Sequence, residues 1–223
     1  MFNLSQKINL INNSPTLALN DTARRLKEDG APIINLGIGE PLNNFPESVF
    51  DYTTRKLDSR QIKYSPTAGN QSLKKAVQSY TADHYGREPG LNNITISVGA
   101  KQALYNLLQV LLDPDDEVMV FVPYWVSYPE MIKLAGGTPI FIETNSQFIP
   151  EMDLIKDSLS DRTKAIILNS PNNPTGAVYP AELVAQLVDL CESRGIFLVM
   201  DDIYHQLLFE PNQWAVSYTH LTL

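Results

Sequence analysis

The chain has a single cysteine, Cys191, among its 223 residues, so an internal disulfide cannot form and stability does not depend on an oxidising compartment. It also lacks a block of Lys or Arg, and its formal net charge is −8, which argues against a surface for nucleic acid or anionic membrane. No stretch approaches the ~18 apolar residues of a membrane span, and the N-terminus shows no signal-peptide pattern. These absences predict a cytoplasmic protein that binds neither nucleic acid nor membrane.

Several cofactor and metal motifs are also missing. Gly37-x-Gly39 lacks the third glycine and the following helix pattern of a dinucleotide fingerprint, and no Walker lysine loop occurs. The three histidines, His84, His205 and His220, do not have the spacing of metal ligands. We therefore predict no metal site.

Apolar strands alternate with amphipathic helices along most of the chain. Strands are predicted at 33–36, 94–98, 117–122, 140–142, 165–168 and 196–200, and helices at 15–29, 71–85, 101–112, 129–135, 152–159 and 181–194. This alternation is typical of βαβ units, so we predict an α/β fold with a mostly parallel sheet covered by helices on both faces.

Ligands of such sheets bind beyond the carboxyl ends of the strands. One predicted strand ends at Val98, and Gly99 then opens a helix whose free N–H groups suit a phosphate, although a glycine there can also serve a purely steric turn. Another strand runs into Pro123–Pro129, which carries three aromatic side chains. They predict either a platform for a planar ring or a hydrophobic packing corner.

Two further strand ends carry polar residues. The loop Asn169–Gly176 contains two prolines and a glycine, so it either aims an asparagine side chain or forms only a turn. Asp201 and Asp202 follow the last strand, where a buried carboxylate is costly unless it meets a cation or a donor; a helix N-cap would explain one of the two. A phosphate site, an aromatic platform, an aimed asparagine and a buried aspartate together predict a pocket for a phosphorylated heteroaromatic cofactor.

The chain resembles the class I/II (fold-type I) pyridoxal-phosphate-dependent aminotransferases, nearest to the bacterial aspartate/aromatic/prephenate type. The matching stretches occur in the family's order at 34–41, 63–69, 97–106, 123–130, 169–179 and 201–204. The resemblance implies the large domain of that fold, with pyridoxal 5′-phosphate as cofactor.

The resemblance also implies roles for individual residues around the cofactor. The backbone N–H groups of Ala100 and Lys101 would hold its phosphate, and the indole of Trp125 would stack on its pyridine ring. Asn173 and Tyr204 would hydrogen-bond the phenolic oxygen of the ring.

The carboxylate of Asp201 is implied to face the pyridine nitrogen and to keep it protonated. Gly39 is implied to meet the substrate carboxylate through its backbone, and Trp125 and Asn173 are further substrate-binding residues. Tyr64 is implied to cross a dimer interface to the partner's cofactor phosphate, so we expect a homodimer.

The implied reaction transfers an amino group between an L-amino acid (aspartate-like or aromatic) and a 2-oxo acid by a ping-pong route through the pyridoxamine form of the cofactor. The family's Schiff-base lysine lies on a later segment, and no lysine follows Lys164 here, so we expect an inactive N-terminal fragment that contains no catalytic residue and lacks the small C-terminal domain. We expect an arm and helix over 1–30 and a partial large domain over 31–214. Residues 215–223 are interpreted as a non-native read-through tail, with a divergent strand as the alternative.

The sequence leaves three other functions open. A fold-type I lyase or cyclopropane-forming synthase shares the same cofactor contacts. A transcription regulator can use an aminotransferase-like domain as a ligand sensor, and a degenerate member can serve as a non-catalytic scaffold.

Overall fold

The computed structural model describes residues 3–12, 14–37, 39, 45–60 and 63–209. The chain divides into two compact units, Met1–Asn12 with Ala68–Leu223 and Asn13–Thr67, which we call the sheet unit and the helical unit. The segment 215–223 lies outside the described residues, and the division predicted at residues 30 and 214 stays a prediction.

The described part of the helical unit contains two helices, α1 (Pro15–Glu28) and α2 (Glu47–Asp58). The predicted α1 is confirmed: the Ser14 side chain accepts a hydrogen bond from the backbone N–H of Leu17 at 3.4 Å, and proline occupies the first turn. The helix α2 was not predicted. The strand predicted at 33–36 is wrong, because these residues pair with no strand in the described part of the chain.

The described part of the sheet unit contains four parallel strands. These are β1 (Glu117–Phe121), β2 (Thr138–Ile142), β3 (Thr163–Asn169) and β4 (Phe197–Asp201), in the spatial order β2-β1-β3-β4. The strand predicted at 94–98 is wrong; among the described residues this segment joins no ladder, and the backbone N–H of Ile96 bonds instead to the carbonyl of Ala68 at 3.1 Å.

Helices precede and connect the strands of this sheet. They are α3 (Gln71–Tyr85), α4 (Gly99–Leu111), α5 (Ser127–Ala135), α6 (Met152–Asp157) and α7 (Ala181–Arg194), with two short 3₁₀ helices at Gln6–Leu10 and Leu91–Asn93. Their bounds confirm the predicted helices of this region to within a few residues.

The core lies on both faces of the sheet because successive strand residues point to opposite sides. Met119 and Phe121 of β1 pack with α6 and α7, whereas Val118 and Val120 pack with α4 and α5. Cys191 of α7 is fully buried in the first cluster, where burial raises the pKa of its thiol to about 12. The predicted parallel sheet with helices on both faces is thus confirmed.

The strand order positions the site. From β1 the chain passes to β2 on one side and then returns to β3 on the other side. A crevice opens outside the carboxyl ends of the strands where the connections diverge in this way.

Candidate active site

A cavity of about 280 Å³ lies at the carboxyl edge of the sheet, close to the lower end of the range of about 300–1,000 Å³ typical of small-molecule sites. The first turn of α4 and the segments that follow β1, β3 and β4 contribute its walls. The lining residues are Gly99, Ala100, Lys101, Trp125, Tyr128, Asn169, Asn173, Asp201, Ile203 and Tyr204.

The first turn of α4 forms one wall. Gly99 has a left-handed backbone (φ +81°), which glycine adopts without strain. The side-chain oxygen of Gln102 accepts a hydrogen bond from the backbone N–H of Val98 at 2.6 Å, just ahead of the helix. The first N–H groups of a helix have no partner within it, so the N–H groups of Ala100 and Lys101 form the positive end of the helix dipole at this wall.

An indole forms the second wall. Trp125 contacts Tyr128 edge to face, with ring centroids 5.4 Å apart and an interplanar angle of 87°. The Lys101 ammonium lies 5.0 Å from the centroid of the Trp125 ring, within cation–π range. The side chain of Lys101 therefore adds a positive charge to the wall that its backbone N–H already makes electropositive.

A carboxyl group lies at the base, where β4 ends. Asp201 is only 7% exposed, and its Oδ2 accepts a hydrogen bond of 2.6 Å from the buried Tyr128 hydroxyl. Among the residues that the structure describes, its Oδ1 accepts only a long hydrogen bond of 3.4 Å, from the Ile203 N–H. Burial, followed by the charge of Asp201, raises the pKa of Tyr128 well above its ordinary value, so Tyr128 remains a donor.

Two asparagines connect the ends of β3 and β4. The Asn169 side chain donates to the backbone carbonyl of Asp201 at 2.8 Å and accepts from the backbone N–H of Asn173 at 2.8 Å. The Asn173 side chain in turn donates to the Tyr204 hydroxyl at 3.4 Å. Asn173 and Tyr204 therefore form a pair of adjacent polar groups in the lining of the cavity.

Six sequence-predicted site residues line this cavity: Ala100, Lys101, Trp125, Asn173, Asp201 and Tyr204. The other two, Gly39 and Tyr64, belong to the helical unit, where both are exposed. Their implied roles stay predictions.

The sequence placed Tyr128 among the three aromatics of the predicted platform and Asn169 in the predicted loop, but it indicated no individual role for either residue. Tyr128 stands 73 positions from Asp201, and no local pattern relates the two residues. Asn169 is the last residue of β3 and precedes the proline-rich loop. Its place at a strand end was the one feature of the sequence that could have indicated a role in the site.

Asp202, the second aspartate of the pair, does not line the cavity. Burial raises the pKa of its carboxyl group to about 6, although a hydrogen bond from Tyr85 opposes the shift. Its Oδ1 is buried and has no hydrogen-bond partner within the described part of the chain.

In the described ranges, no helix is both long and apolar enough to cross a bilayer. The same residues contain no group of three or more His, Cys, Asp or Glu side chains that could hold a metal ion.

The chain is thus an α/β protein with a cavity at the carboxyl edge of a parallel sheet, lined by a helix N-terminus, an indole and a buried carboxyl group. The profile of the family described as aminotransferase class I and II matches residues 31–222. The chain belongs to this family.

The chain is similar to named members of the family. It is 42% identical over 221 residues to the aspartate/prephenate aminotransferase of Thermus thermophilus, covering 96% of this chain and 56% of that protein. It is 40% identical over 208 residues to the aspartate aminotransferase of Geobacillus stearothermophilus, covering 92% of this chain and 53% of that protein.

A solved structure of the Thermus thermophilus aspartate aminotransferase with maleate superposes with a TM-score of 0.93 at 39% identity, over 99% of this chain and 59% of that one. The chain therefore spans about half the length of the curated relatives it matches.

Proposed function

We propose that the protein containing this chain is an aminotransferase that uses pyridoxal 5′-phosphate to move an amino group between an L-amino acid, aspartate-like or aromatic, and a 2-oxo acid. One observation carries the proposal: a helix N-terminus, an indole and a buried carboxyl group line the same cavity of about 280 Å³. Family membership and the names of the relatives support it.

The residues fit the cofactor chemically. Free N–H groups at the start of α4, with the Lys101 ammonium nearby, suit a phosphate dianion. A side chain is absent at Gly99, where an added Cβ would have no atom within 4 Å, so the backbone is open to a close approach. Within the described part of the chain, the Oδ1 of Asp201 has one long contact, so it retains capacity for a further donor.

Each residue would then have a defined task. Asp201 would accept a hydrogen bond from the protonated ring nitrogen, and Tyr128 would hold the carboxyl group in place. Asn173 and Tyr204 would donate to the phenolic oxygen, while Trp125 would cover one face of the ring. When bound, the cofactor supplies the electron sink that makes loss of the substrate Cα proton feasible.

The complete reaction is proposed for a protein longer than these 223 residues. No lysine follows Lys164 in the chain, so the Schiff-base lysine implied by the resemblance would come from elsewhere. The roles of Gly39 toward the substrate carboxylate and of Tyr64 toward a partner's cofactor in a homodimer belong to this proposal as well.

A titration of the 223-residue chain tests cofactor binding. With Trp214 replaced by Phe, Trp125 is the only tryptophan and reports on the cavity by fluorescence. Pyridoxine 5′-phosphate has no aldehyde and cannot react with surface lysines, so we use it as the probe. We expect saturable quenching, with pyridoxine lacking the phosphate bound about tenfold more weakly.

A test variant and a control variant show whether the titration depends on the buried carboxyl group. Asp201→Asn should weaken binding of the probe, because the amide cannot stabilise a protonated ring nitrogen, whereas the exposed Asp189→Asn should leave binding unchanged. Quenching that does not saturate, or equal affinity of Asp201→Asn and the parent, would contradict the proposal.

Product analysis on the longer protein tests the reaction class. Incubation with L-aspartate or L-phenylalanine and 2-oxoglutarate should yield glutamate and the corresponding oxo acid in equal amounts. Release of ammonia or a cyclopropane product would instead indicate the lyase or synthase alternative.

A further inference from the structure

A cluster of hydrogen-bonding side chains lies outside the cavity, between α3 and the turn that follows β4. Tyr80 and Tyr85 come from α3, and Asp202, His205 and Gln206 come from the turn. We call these five residues the α3 clamp. None of them lines the cavity, yet the turn they hold contains Tyr204, which does.

The sheet does not hold this turn by itself. Pairing between β3 and β4 ends with Asn169 and Asp201. Beyond that point, the backbone N–H of His205 bonds to the carbonyl of Asp202 at 3.0 Å, and the N–H of Leu207 bonds to the carbonyl of Tyr204 at 2.8 Å. These bonds are local to the turn, so they shape it without fixing its position against the rest of the fold.

Side chains of the clamp provide that fixation. The His205 Nε2 and the Tyr80 hydroxyl are 2.5 Å apart, and the Gln206 amide donates to the same hydroxyl oxygen at 2.6 Å. Tyr85 hydrogen-bonds the Asp202 carboxyl group. Two residues of α3 are thus hydrogen-bonded to three residues of the turn.

The donors and acceptors of the clamp form a consistent circuit. The Asp202 backbone carbonyl can only accept, so the His205 Nδ1 at 2.7 Å from it carries the proton. In the neutral ring the Nε2 is then an acceptor, and the Tyr80 hydroxyl donates to it. The Tyr80 oxygen keeps its lone pairs for the Gln206 amide.

The turn transmits this constraint to the cavity. Tyr204 stands between Asp202 and His205, two anchored positions, and its own polar contact with the Asn173 amide is long, at 3.4 Å. We propose that Tyr80 and His205 are positioning residues which, through the α3 clamp, aim the Tyr204 hydroxyl into the cavity. The inference rests on the proposed function insofar as that cavity is the cofactor site.

The first arm of the test needs no ligand. Tyr80→Phe keeps the ring stacked on His84, where the centroids are 3.9 Å apart, and removes only the hydroxyl. Hydrogen exchange followed by mass spectrometry should show amides of 203–207 exchanging about tenfold faster, with β4 unchanged. The exposed Tyr52→Phe is the matched control and should show no change; equal exchange in Tyr80→Phe and the parent chain would overturn the clamp.

The second arm is a double-mutant cycle with pyridoxine 5′-phosphate as the probe. Tyr80→Phe should weaken binding about threefold to tenfold, the range expected for one lost hydrogen bond. In a Tyr204→Phe background the same change should have no effect, because Tyr80 acts through the Tyr204 hydroxyl. A loss of the same size in both backgrounds would mean that Tyr80 supports the fold generally and would overturn its role toward Tyr204.

The two arms separate the two claims. If the parent chain does not bind the probe, the proposed function fails, while the exchange experiment still decides whether the clamp holds the turn. If the parent binds and the exchange is unchanged in Tyr80→Phe, the proposed function stands and the inference fails.

Discussion

The hydrogen bond from Tyr128 to Asp201 decides how the buried carboxyl group is oriented. Among the described residues, Oδ1 of Asp201 has only a long contact of 3.4 Å, with the Ile203 N–H. The Tyr128 hydroxyl, 2.6 Å from Oδ2, is therefore the main partner of the carboxyl group. Replacing Tyr128 by Phe leaves Oδ2 buried and unpaired. We expect the free energy of unfolding in urea to fall by about 1–3 kcal/mol and the probe to bind more weakly.

The matched control is Tyr105→Phe, which removes the hydroxyl of a tyrosine that is 37% exposed. It should change the free energy of unfolding by less than about 0.5 kcal/mol. If Tyr128→Phe behaves like this control, the hydrogen bond does not stabilise the site.

Asp202 makes stability depend on pH in an unusual direction. Burial raises the pKa of its carboxyl group to about 6, against 3.8 for the unperturbed group. The folded state therefore binds more protons than the unfolded state between these two pKa values. The stabilising contribution of Asp202 to the free energy of unfolding is fully present below pH 3.8 and is lost as the pH rises through about 6.

Asp202→Asn mimics the protonated group at every pH and should therefore be more stable than the parent at neutral pH. We expect the difference in free energy of unfolding to grow between pH 4 and 6 and to level off at about 2–3 kcal/mol by pH 8. Urea denaturation across this range measures it. A difference that stays constant with pH would show that Asp202 is not the group that titrates.

Site residues could be predicted from the sequence where they stand at the end of a predicted strand. Asp201 ends an apolar strand, Asn173 follows another, and the start of α4 follows a strand-like run. Parallel strands bring their carboxyl ends together. Tyr128 could not be predicted in the same way, because its role comes from a contact between side chains far apart in sequence.

At the scale of elements, Gly69 and Gly99 both have a left-handed backbone conformation. Replacing each by alanine compares the cost of backbone strain alone with the cost of strain plus steric overlap. Gly69 precedes α3 at φ +102°, and a Cβ there would lie 2.4 Å from Cγ1 of Ile96. Gly99 starts α4 at φ +81° with open space around it. Gly99→Ala should therefore cost about 1–2 kcal/mol of strain alone, whereas Gly69→Ala should cost more.

Thermal unfolding of the two variants measures this difference, and Gly69→Ala should have the lower Tm. Gly99→Ala should in addition weaken phosphate binding, because it disturbs the first turn of α4. Equal Tm values for the two variants would contradict the packing of Ile96 on Gly69.

The local pattern of apolar residues predicted most helices and strands correctly where tertiary packing agrees with that pattern. The helices α4 to α7 and the strands β1 to β4 carry both the apolar periodicity and buried partners in the core. The helices α1 and α3, which contain no buried residue, were predicted from periodicity and end signals alone. The strand predicted at 94–98 has β-branched residues, but strand propensity cannot replace a ladder partner. The helix α2 was missed although its apolar residues Val49, Phe50 and Leu57 follow helical spacing.

At the scale of the whole molecule, the N-terminal segment 3–12 is part of the sheet unit because it hydrogen-bonds to α5. The Glu130 carboxylate of α5 accepts hydrogen bonds from the backbone N–H of Asn12 at 2.9 Å and from its side chain at 3.4 Å. The Lys7 ammonium donates to the carbonyl of Leu134 at 3.0 Å. These contacts fasten residues 3–12 to a helix more than a hundred positions away.

Glu130→Ala removes the acceptor for Asn12. We expect residues 3–12 to be cleaved several-fold faster in limited proteolysis, since a loss of about 1–2 kcal/mol is expected for these hydrogen bonds. Exposed Glu182→Ala on α7 is the control, and cleavage at the same rate in both variants would show that Glu130 does not hold the segment.

The proposed function requires that one cavity, formed where the connections of the sheet diverge, receives a phosphorylated pyridine. A crystal structure of the 223-residue chain with pyridoxine 5′-phosphate tests it most directly. We expect the phosphate at the first turn of α4, the ring against Trp125 and the ring nitrogen facing Asp201. A ligand bound elsewhere, or with its ring nitrogen turned away from Asp201, would contradict it.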